Sequence, residues 1–514
     1  MSRGFRRAAV AVVSTVVLVA AAAGCSSGGD DAGSPATTVV LSAGPPTSSP
    51  VPVPTVQGPV TTGNGKAVMG ANSFDLATVG YQEDEYFVSG TATSYTAPEA
   101  LTPDGRWTVT TGPSAPYTTR VVVRRPSDPT AFNGTVVVEW LNVSGGLDAS
   151  PDWTYAHVEL IRAGAAWVGV SAQRVGIYGS PTSLAAALAL KNADPDRYGP
   201  LDHPGDQYSY DMYSQVGMAV WSSPDVVLGG LQPQRVLAIG ESQSAFRLTT
   251  YLNAVAPTAD VYDGYLVHSR GAVGAPLNEG VQMPDPTLVR DDLTVPVLTF
   301  SSETDLVGER LGYARARQPD TDLFRSWEVA GTAHADAYNL GIGDVDDGSG
   351  AADAKLLAAM LAPPAEVYGG IISCTTPINT GPHTYVLRTA VADLDSWVRT
   401  GEPPRSMPQI DLAADGTIAR DPLGNALGGI RTPQVDVPVA SLSGVGQTGS
   451  SFCGLFGTTV PLTVTQMVPA VAADHDDFVL RWTDALTSAV EAGAVLPADA
   501  EVLEGVVRSS SVLR

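Results

Sequence analysis

The sequence predicts an α/β fold with a mostly parallel central sheet flanked by helices. Three observations carry this. From about residue 107, short runs rich in β-branched residues alternate with stretches of helical period. Several of those runs are apolar on both faces, as strands covered on both sides must be. Residue types that do chemistry collect just past the strand ends, where open parallel sheets present ligands.

The elements follow in chain order. The chain starts with the basic "MSRGFRR" and the apolar "AAVAVVSTVVLVAAAAG", which ends in small residues before Cys25. This is the layout of an export signal. "AAGC" resembles a lipobox, in which the cysteine is lipidated and becomes the new N-terminus; an ordinary cleaved leader is the competing reading. A lipidated cysteine of that kind carries more than one acyl chain, which suffices for stable anchoring. The expected location is therefore the extracytoplasmic face of the cell membrane. Arg6–Arg7 leaves Sec and twin-arginine export both open. Residues 26–65 are rich in Ser, Thr, Gly and Pro and lack periodicity, so they are expected to form a disordered tether. The folded domain is then expected over 66–514, with 338–514 as a C-terminal extension packed on the core.

Within that domain "RWTVTTG" and "YTTRVVVRRP" predict two early strands. "GTVVVEWLNV" (134–143) predicts a strand buried on both faces, "TYAHVELIRA" (154–163) a helix and "AAWVGVSAQ" (165–173) another strand. Residues 176–215 are too irregular for a simple crossover, and they hold Tyr178, Tyr198, Tyr208, Tyr210 and Tyr213. That stretch suits a lid or pocket wall, or equally a surface excursion. "QRVLAIGES" (234–242) predicts a buried strand, followed by a helix with Phe246, Leu248, Leu252 and Val255 on one face. "VYDGYLVHSR", "VPVLTFSSETD" and "LFRSWEVAGTAH" predict three further strands. Amphipathic helices are expected at 384–404, stopped by Gly401 and two prolines, and at 474–496.

Composition narrows the function classes. The 514 residues are 44% hydrophobic and 16% charged, with a formal net charge of −24. Such a surface repels phosphate backbones, so no nucleic-acid partner is expected. Beyond Cys25 the only cysteines are Cys374 and Cys453, which in an oxidising compartment predict one disulfide. No clustered Cys/His spacing supports a metal, and no cofactor is expected. "GDVDDGSG" (343–350) invites calcium but lacks EF-hand spacing and a distal glutamate.

A serine hydroxyl attacks only when a base lies within reach and an acid orients that base. On an α/β-hydrolase fold the three arrive in the order Ser, Asp or Glu, His. Here Ser242 follows one strand, the pair Glu303 and Asp305 follows the next but one, and His334 follows the strand after. Asp305 is the favoured acid and Glu303 the alternative. The motif "GESQS" has Gly240 before the serine but Ser244 where a second glycine is usual, a tolerable departure since serine is small. Two serines capping a helix is the plainer explanation of the same letters. Oxyanion donors are expected from the Gln243 backbone and from the loop "LNVSGG", at Ser144 and Gly145. Arg174, His268 and Arg270 also follow strands and are substrate-facing candidates. The arginines suit a substrate carboxylate, or else form salt bridges within an acidic protein. His268 is the rival base, but it precedes the acid loop.

Four segments, "FNGTVVVEWLNVSGG", "DWTYAHVELIRAGAAWVGVSAQ", "IGESQSAFRLTTYLNA" and "FRSWEVAGTAHADAY", together resemble a family of bacterial alpha/beta hydrolase domain proteins. The resemblance runs from about residue 70 to the C-terminus. It implies a serine hydrolase fold without a settled substrate. Glucuronoyl esterases are more distantly similar, yet no segment transfers their sugar-binding residues, so their substrate is not carried over. The expectation is an exported, lipid-anchored carboxylic-ester hydrolase acting on a small-molecule or polymer ester through an acyl-enzyme. Acyl transfer to another alcohol, peptide cleavage, and a non-catalytic binding lipoprotein on the same scaffold are the alternatives.

Overall fold

Strands that are apolar on both faces have to be covered on both sides, and this requirement governs the architecture. The computed structural model describes residues 44–65, 72–180, 185–308, 311–450 and 452–514. The leader, Cys25 and the first part of the expected tether lie outside the described residues. Among the described residues, nine strands make one sheet in the order β1-β2-β3-β5-β4-β6-β7-β8-β9. They are β1 (Thr55–Gln57), β2 (Tyr81–Thr96), β3 (Thr110–Pro126), β4 (Thr135–Trp140), β5 (Ala166–Val170), β6 (Arg235–Glu241), β7 (Gly264–His268), β8 (Val297–Ser302) and β9 (Phe324–Val329). The run from β5 to β9 is parallel, and β1, β2 and β3 join it antiparallel.

The alternation of side chains splits the core in two. Val136, Val138 and Trp140 face α2 (Ser209–Ser222) and α3 (Gln243–Ala254). Val137, Leu237, Leu266 and Phe300 face α1 (Pro151–Ala163) and α5 (His383–Thr400). Between them in sequence lies α4 (Ala351–Leu361), while α6 (His475–Ala492) and α7 (Pro497–Ser509) pack beyond α5. The helix ends where expected: Gly401 caps α5 at φ 77°, a conformation glycine adopts without strain. Because α5 lies on α1 and across β6, β7 and β8, it is one of the two sheet-covering layers. Cys374 and Cys453 form the expected disulfide.

Three expectations are corrected. "RWTVTTG" and "YTTRVVVRRP" are not two strands; Thr110 onward merges into the single long β3. Its partner β2 has no apolar pattern at its start, "YQEDE", because cross-strand ion pairs satisfy it: Glu83–Arg124 at 2.8 Å, Asp84–Arg125 at 2.7 Å and Glu85–Arg120 at 3.1 Å. Residues 44–65 are not a free tether. Thr55–Gln57 pairs with β2, Val51 is buried, and Arg197 holds the carbonyls of Val60 and Thr62. A proline-spaced segment can make such an edge strand without showing any periodicity. For the stretch 176–215, of which 181–184 lie outside the described residues, the lid reading is the one corrected, since Tyr198, Tyr210 and Tyr213 are fully buried, which fits the alternative of an excursion packed on the domain.

Burial raises several carboxyls. Asp263 and Asp336 are each pushed up to about 7, and Asp393 to about 6, chiefly by desolvation. These groups keep their protons when folded at pH values where the unfolded chain has already released them. The folded state then binds more protons, so stability falls as pH rises. The carboxyls that are held low, such as Asp346 beside Arg388, act only below about pH 4. Thermal unfolding is therefore expected at a higher temperature at about pH 5 than at about pH 8, the loss from these carboxyls running from about pH 4 to about pH 7 and opposed in part, below about pH 6.5, by buried neutral histidines such as His268. Asp263→Asn should flatten part of the slope. A melting temperature that climbs steadily from 5 to 8 would contradict the argument.

Candidate active site

At the end of β6 the chain must turn from strand to helix within one residue. Ser242 makes that turn, with φ 57° and ψ −119°. A non-glycine residue there carries strain of about 1–3 kcal/mol and persists only when its surroundings fix it. They do so. Ser242 N–H donates to the His268 carbonyl at 2.9 Å, and the Ser242 carbonyl accepts from Phe246 N at 3.0 Å. A Cβ on Gly240 would sit 3.2 Å from the Ser244 backbone carbon and Cβ, so the strand and helix approach too closely for a larger residue. Ser244 is fully buried and its hydroxyl finds no hydrogen-bond partner among the described residues. It fits in the space rather than lending a hydroxyl to its neighbours.

Ser242 Oγ lies 2.7 Å from His334 Nε2, and His334 Nδ1 lies 2.6 Å from Asp305 Oδ1. The other oxygen of Asp305 accepts from Ser302 N at 2.7 Å and Ser302 Oγ at 2.8 Å, as part of a capping box on a one-turn helix, Glu303–Leu306. Burial alone would raise the Asp305 carboxyl. The His334 ring and these donors outweigh it and hold the carboxyl below its usual value. Of the two candidate acids, Asp305 is therefore the one bonded to the imidazole. Glu303 points behind the loop, accepting from Gly331 N at 2.7 Å, Gly444 N at 3.0 Å and Arg420 at 2.8 Å.

The other site expectations divide. Gln243 opens α3, where a backbone N–H lacks an intrahelical acceptor. Ser144 is corrected as an oxyanion donor: its N–H donates to Asn142 Oδ1 at 2.7 Å. Gly145 lies in the same turn. Arg174 is exposed, over the Tyr178 ring and bonded to the His203 carbonyl. Arg270 does not face substrate. It is fully buried, donates to the Gly271 and Thr287 carbonyls, and lies over the Tyr313 ring. Arg174 reaches a carboxylate only through its backbone N–H, which donates to Asp206 Oδ1 at 2.9 Å; neither guanidinium has a carboxylate partner among the described residues, so the salt-bridge alternative is corrected too. His268 is likewise fully buried and lies beneath the site.

Sequence reasoning missed two things. Glu241, the residue between Gly240 and Ser242, is buried with Oε1 3.3 Å from His334 Nε2. Asn142 Nδ2 donates to its Oε2 at 2.9 Å and to its carbonyl at 3.1 Å, tying the loop after β4 to the turn. Its place inside the motif was the available signal. The second is a buried chain. His268 Nδ1 lies 2.7 Å from Asp152 Oδ1, His268 Nε2 lies 2.7 Å from His383 Nε2, and His383 Nδ1 lies 3.0 Å from the Ala333 carbonyl. Asp152 and His383 arrive from the first turns of α1 and α5, which no motif flags.

The protons of this chain can be counted. The Ala333 carbonyl only accepts, so His383 carries its proton on Nδ1. His383 Nε2 is then bare, and His268 must donate from Nε2. Burial drives the His268 pKa down to about 3, so that ring is neutral and its Nδ1 is bare. Asp152 must therefore supply a carboxyl proton, in keeping with a pKa that burial raises well above the usual range. Its neighbour Glu139 instead accepts three N–H groups, from Asp152, Trp153 and Trp167. The chain is uncharged and ends on the carbonyl just before His334.

A family model described as "Alpha/beta hydrolase domain" matches residues 56–504. No curated protein matches the sequence. Solved structures include esterases from Rhizomucor miehei, at 12% identity over 60% of this chain and 85% of theirs, with a TM-score of 0.29. A serine hydrolase without a lid from Xanthomonas campestris matches at 13% identity over 46% of this chain and 83% of its own, with a TM-score of 0.24. A thermostable esterase from Pseudomonas putida matches at 13% identity over 42% of this chain and 65% of its own, with a TM-score of 0.22.

The proton count is open to measurement. Imidazole ¹⁵N shifts are expected to show His268 as the Nε2–H tautomer and His383 as the Nδ1–H tautomer, both neutral from about pH 5 to 8. A charged ring in that range contradicts it. His383→Leu leaves a donor and an acceptor unpaired in the interior. It should lower unfolding stability by about 1–3 kcal/mol for each group stranded, read from denaturant midpoints.

Proposed function

The chain belongs to the alpha/beta hydrolase domain family, and from that premise we propose that it is an exported, lipid-anchored serine hydrolase that cleaves carboxylic esters through an acyl-enzyme. The observation that carries this reading is the relay from Ser242 Oγ to His334 Nε2 at 2.7 Å and from His334 Nδ1 to Asp305 Oδ1 at 2.6 Å. Ser242 Oγ attacks the ester carbonyl carbon while its proton passes to His334 Nε2. Asp305 keeps the ring in the tautomer with its Nδ1–H inward and stabilises the imidazolium. The oxyanion that develops is met by backbone N–H groups, with Gln243 the first donor. His334 returns the proton to the leaving alcohol. Water then attacks the acyl-enzyme with His334 again as base, and the acid departs. Lipidation at Cys25 would hold this machinery on the outer face of the membrane.

The test uses fluorophosphonate labelling and short p-nitrophenyl esters. Unaltered protein is expected to label and to hydrolyse, and Ser242→Ala to do neither. Asp305→Asn should lower kcat by roughly 10³–10⁴-fold, whereas Glu303→Gln should mainly lower the melting temperature. If only Glu303→Gln abolishes turnover, the acid is misassigned. If the unaltered protein neither labels nor hydrolyses, the hydrolase reading is wrong. Cys25→Ser should move the protein from the membrane fraction into the soluble fraction. A variant that stays in the membrane fraction would contradict the lipid anchor.

A further inference from the structure

Two oxygens converge on one nitrogen. His334 Nε2 faces Ser242 Oγ at 2.7 Å and Glu241 Oε1 at 3.3 Å. In the resting base Nδ1 carries the ring proton toward Asp305, so Nε2 offers a single lone pair. Ser242 needs that lone pair to give up its proton. Glu241 can also fill it. Asn142 Nδ2 donates to Glu241 Oε2, which leaves Oε1 as the atom that carries a proton when the carboxyl is neutral. That oxygen is the one aimed at His334.

We propose that Glu241 is a second acid of the site: it shares one proton with His334, and His334 becomes a free base only when that shared proton has left for solvent. The inference rests on the serine hydrolase reading above. The balance is simple. A neutral carboxyl beside a neutral ring and a carboxylate beside an imidazolium are two forms with the same proton count. In the first the carboxyl occupies Nε2; in the second the ring is already protonated. Neither accepts the proton of Ser242. Loss of one proton leaves a carboxylate beside a neutral ring, and this form reacts. Attack then moves the Ser242 proton to Nε2, and the Glu241 carboxylate lies beside the imidazolium so formed.

The surroundings hold that proton tightly. Besides His334, the groups facing Glu241 are Asp152 from the start of α1, Asp305 from the loop after β8, the Asn142 amide and the Tyr155 phenol. His334 also has the neutral rings of His268 and His383 nearby. Burial pushes the Glu241 carboxyl up to about 8, with the Asp305 carboxylate adding to the rise and His334 opposing it. An ordinary imidazole base frees itself near pH 6.5. Here the acid limb of activity should lie well above that, toward pH 8.

The experiment follows the rate of fluorophosphonate labelling of Ser242 from about pH 5 to 10, with hydrolysis of p-nitrophenyl acetate alongside. In the unaltered protein the labelling rate is expected to rise with an apparent pKa near 8. An acid limb at about 6.5 or below in the unaltered protein overturns the proposal, whatever any variant does. Glu241→Gln keeps the shape and the Asn142 contact but removes the titrating proton. Its acid limb should move down by at least one pH unit, and its limiting kcat/KM should fall about tenfold for want of the carboxylate beside the imidazolium. An unshifted limb in Glu241→Gln overturns the proposal while leaving the hydrolase reading intact. No labelling of Ser242 at any pH overturns both.

Discussion

The hydrogen bond between His334 and Asp305 is the constraint on which the rest of the site depends. A carboxylate that is fully buried is stable only if donors surround it. Asp305 has three: the ring N–H, the Ser302 N–H and the Ser302 hydroxyl. The two Ser302 donors are available only because β8 ends there and a one-turn helix begins. The ring donor is available only because β9 delivers His334 alongside, with the Thr304 hydroxyl accepting from the His334 N–H at 3.1 Å. Fixing the ring at Nδ1 aims Nε2 at Ser242, whose own backbone is held at positive φ by the neighbouring strand. The relay is thus a consequence of strand ends, and a slip of one residue in any of the three would break it.

The same rule explains the floor of the site. Glu139, Asp152, Glu241 and Asp305 are all buried on this side of the sheet. Four bare charges would be ruinous. Each finds a different answer. Asp305 is charged and surrounded by donors. Glu139 accepts N–H groups at the first turn of α1, and these only partly offset the burial that raises its carboxyl well above the usual range. Asp152 keeps a proton and donates into the histidine chain. Glu241 keeps a proton too, but holds it against the catalytic base. Environment alone, acting on one chemical group, produces these four states.

Much of this was legible in the sequence, and the illegible parts share a cause. Strands β4 to β8 announce themselves because burial on both faces leaves largely apolar runs, and β9, "FRSWEV", by Phe324, Trp327 and Val329 set among polar residues. Ser242, Asp305 and His334 are legible because each closely follows such a run, in the order that the fold requires. β2 is illegible because its acidic start is neutralised by arginines forty residues away, on the partner strand. Residues 44–65 are illegible because an edge strand flanked by prolines needs no alternation. His268 and Arg270 mislead because a position after a strand implies the cleft only if the side chain points outward, and here both point in. Asp152 and His383 have no local signature at all. Their meaning exists only once α1 and α5 bring their first turns together under β7.

The last third of the chain belongs to the site in a way that its sequence does not suggest. Gly444 packs against the acid loop so closely that a Cβ would lie 2.5 Å from Glu303 Cβ, Thr304 N and the Thr332 carbonyl. Its N–H and carbonyl are both engaged there, with Glu303 and with the Thr304 hydroxyl at 2.6 Å. Arg420 neutralises Glu303 from the same side. Without those partners Glu303 would be a buried carboxylate with only the Gly331 N–H to accept from, two residues from Asp305, and the loop that aims His334 would lose its backing. Arg420 and Gly444 both lie inside the 79-residue separation closed by Cys374 and Cys453. A cross-link of that span removes conformational freedom mainly from the unfolded chain, and the segment it restrains is the one that must return to the acid loop. The disulfide is remote from the chemistry in sequence, yet it favours the fold in which Asp305 stays beneath the imidazole.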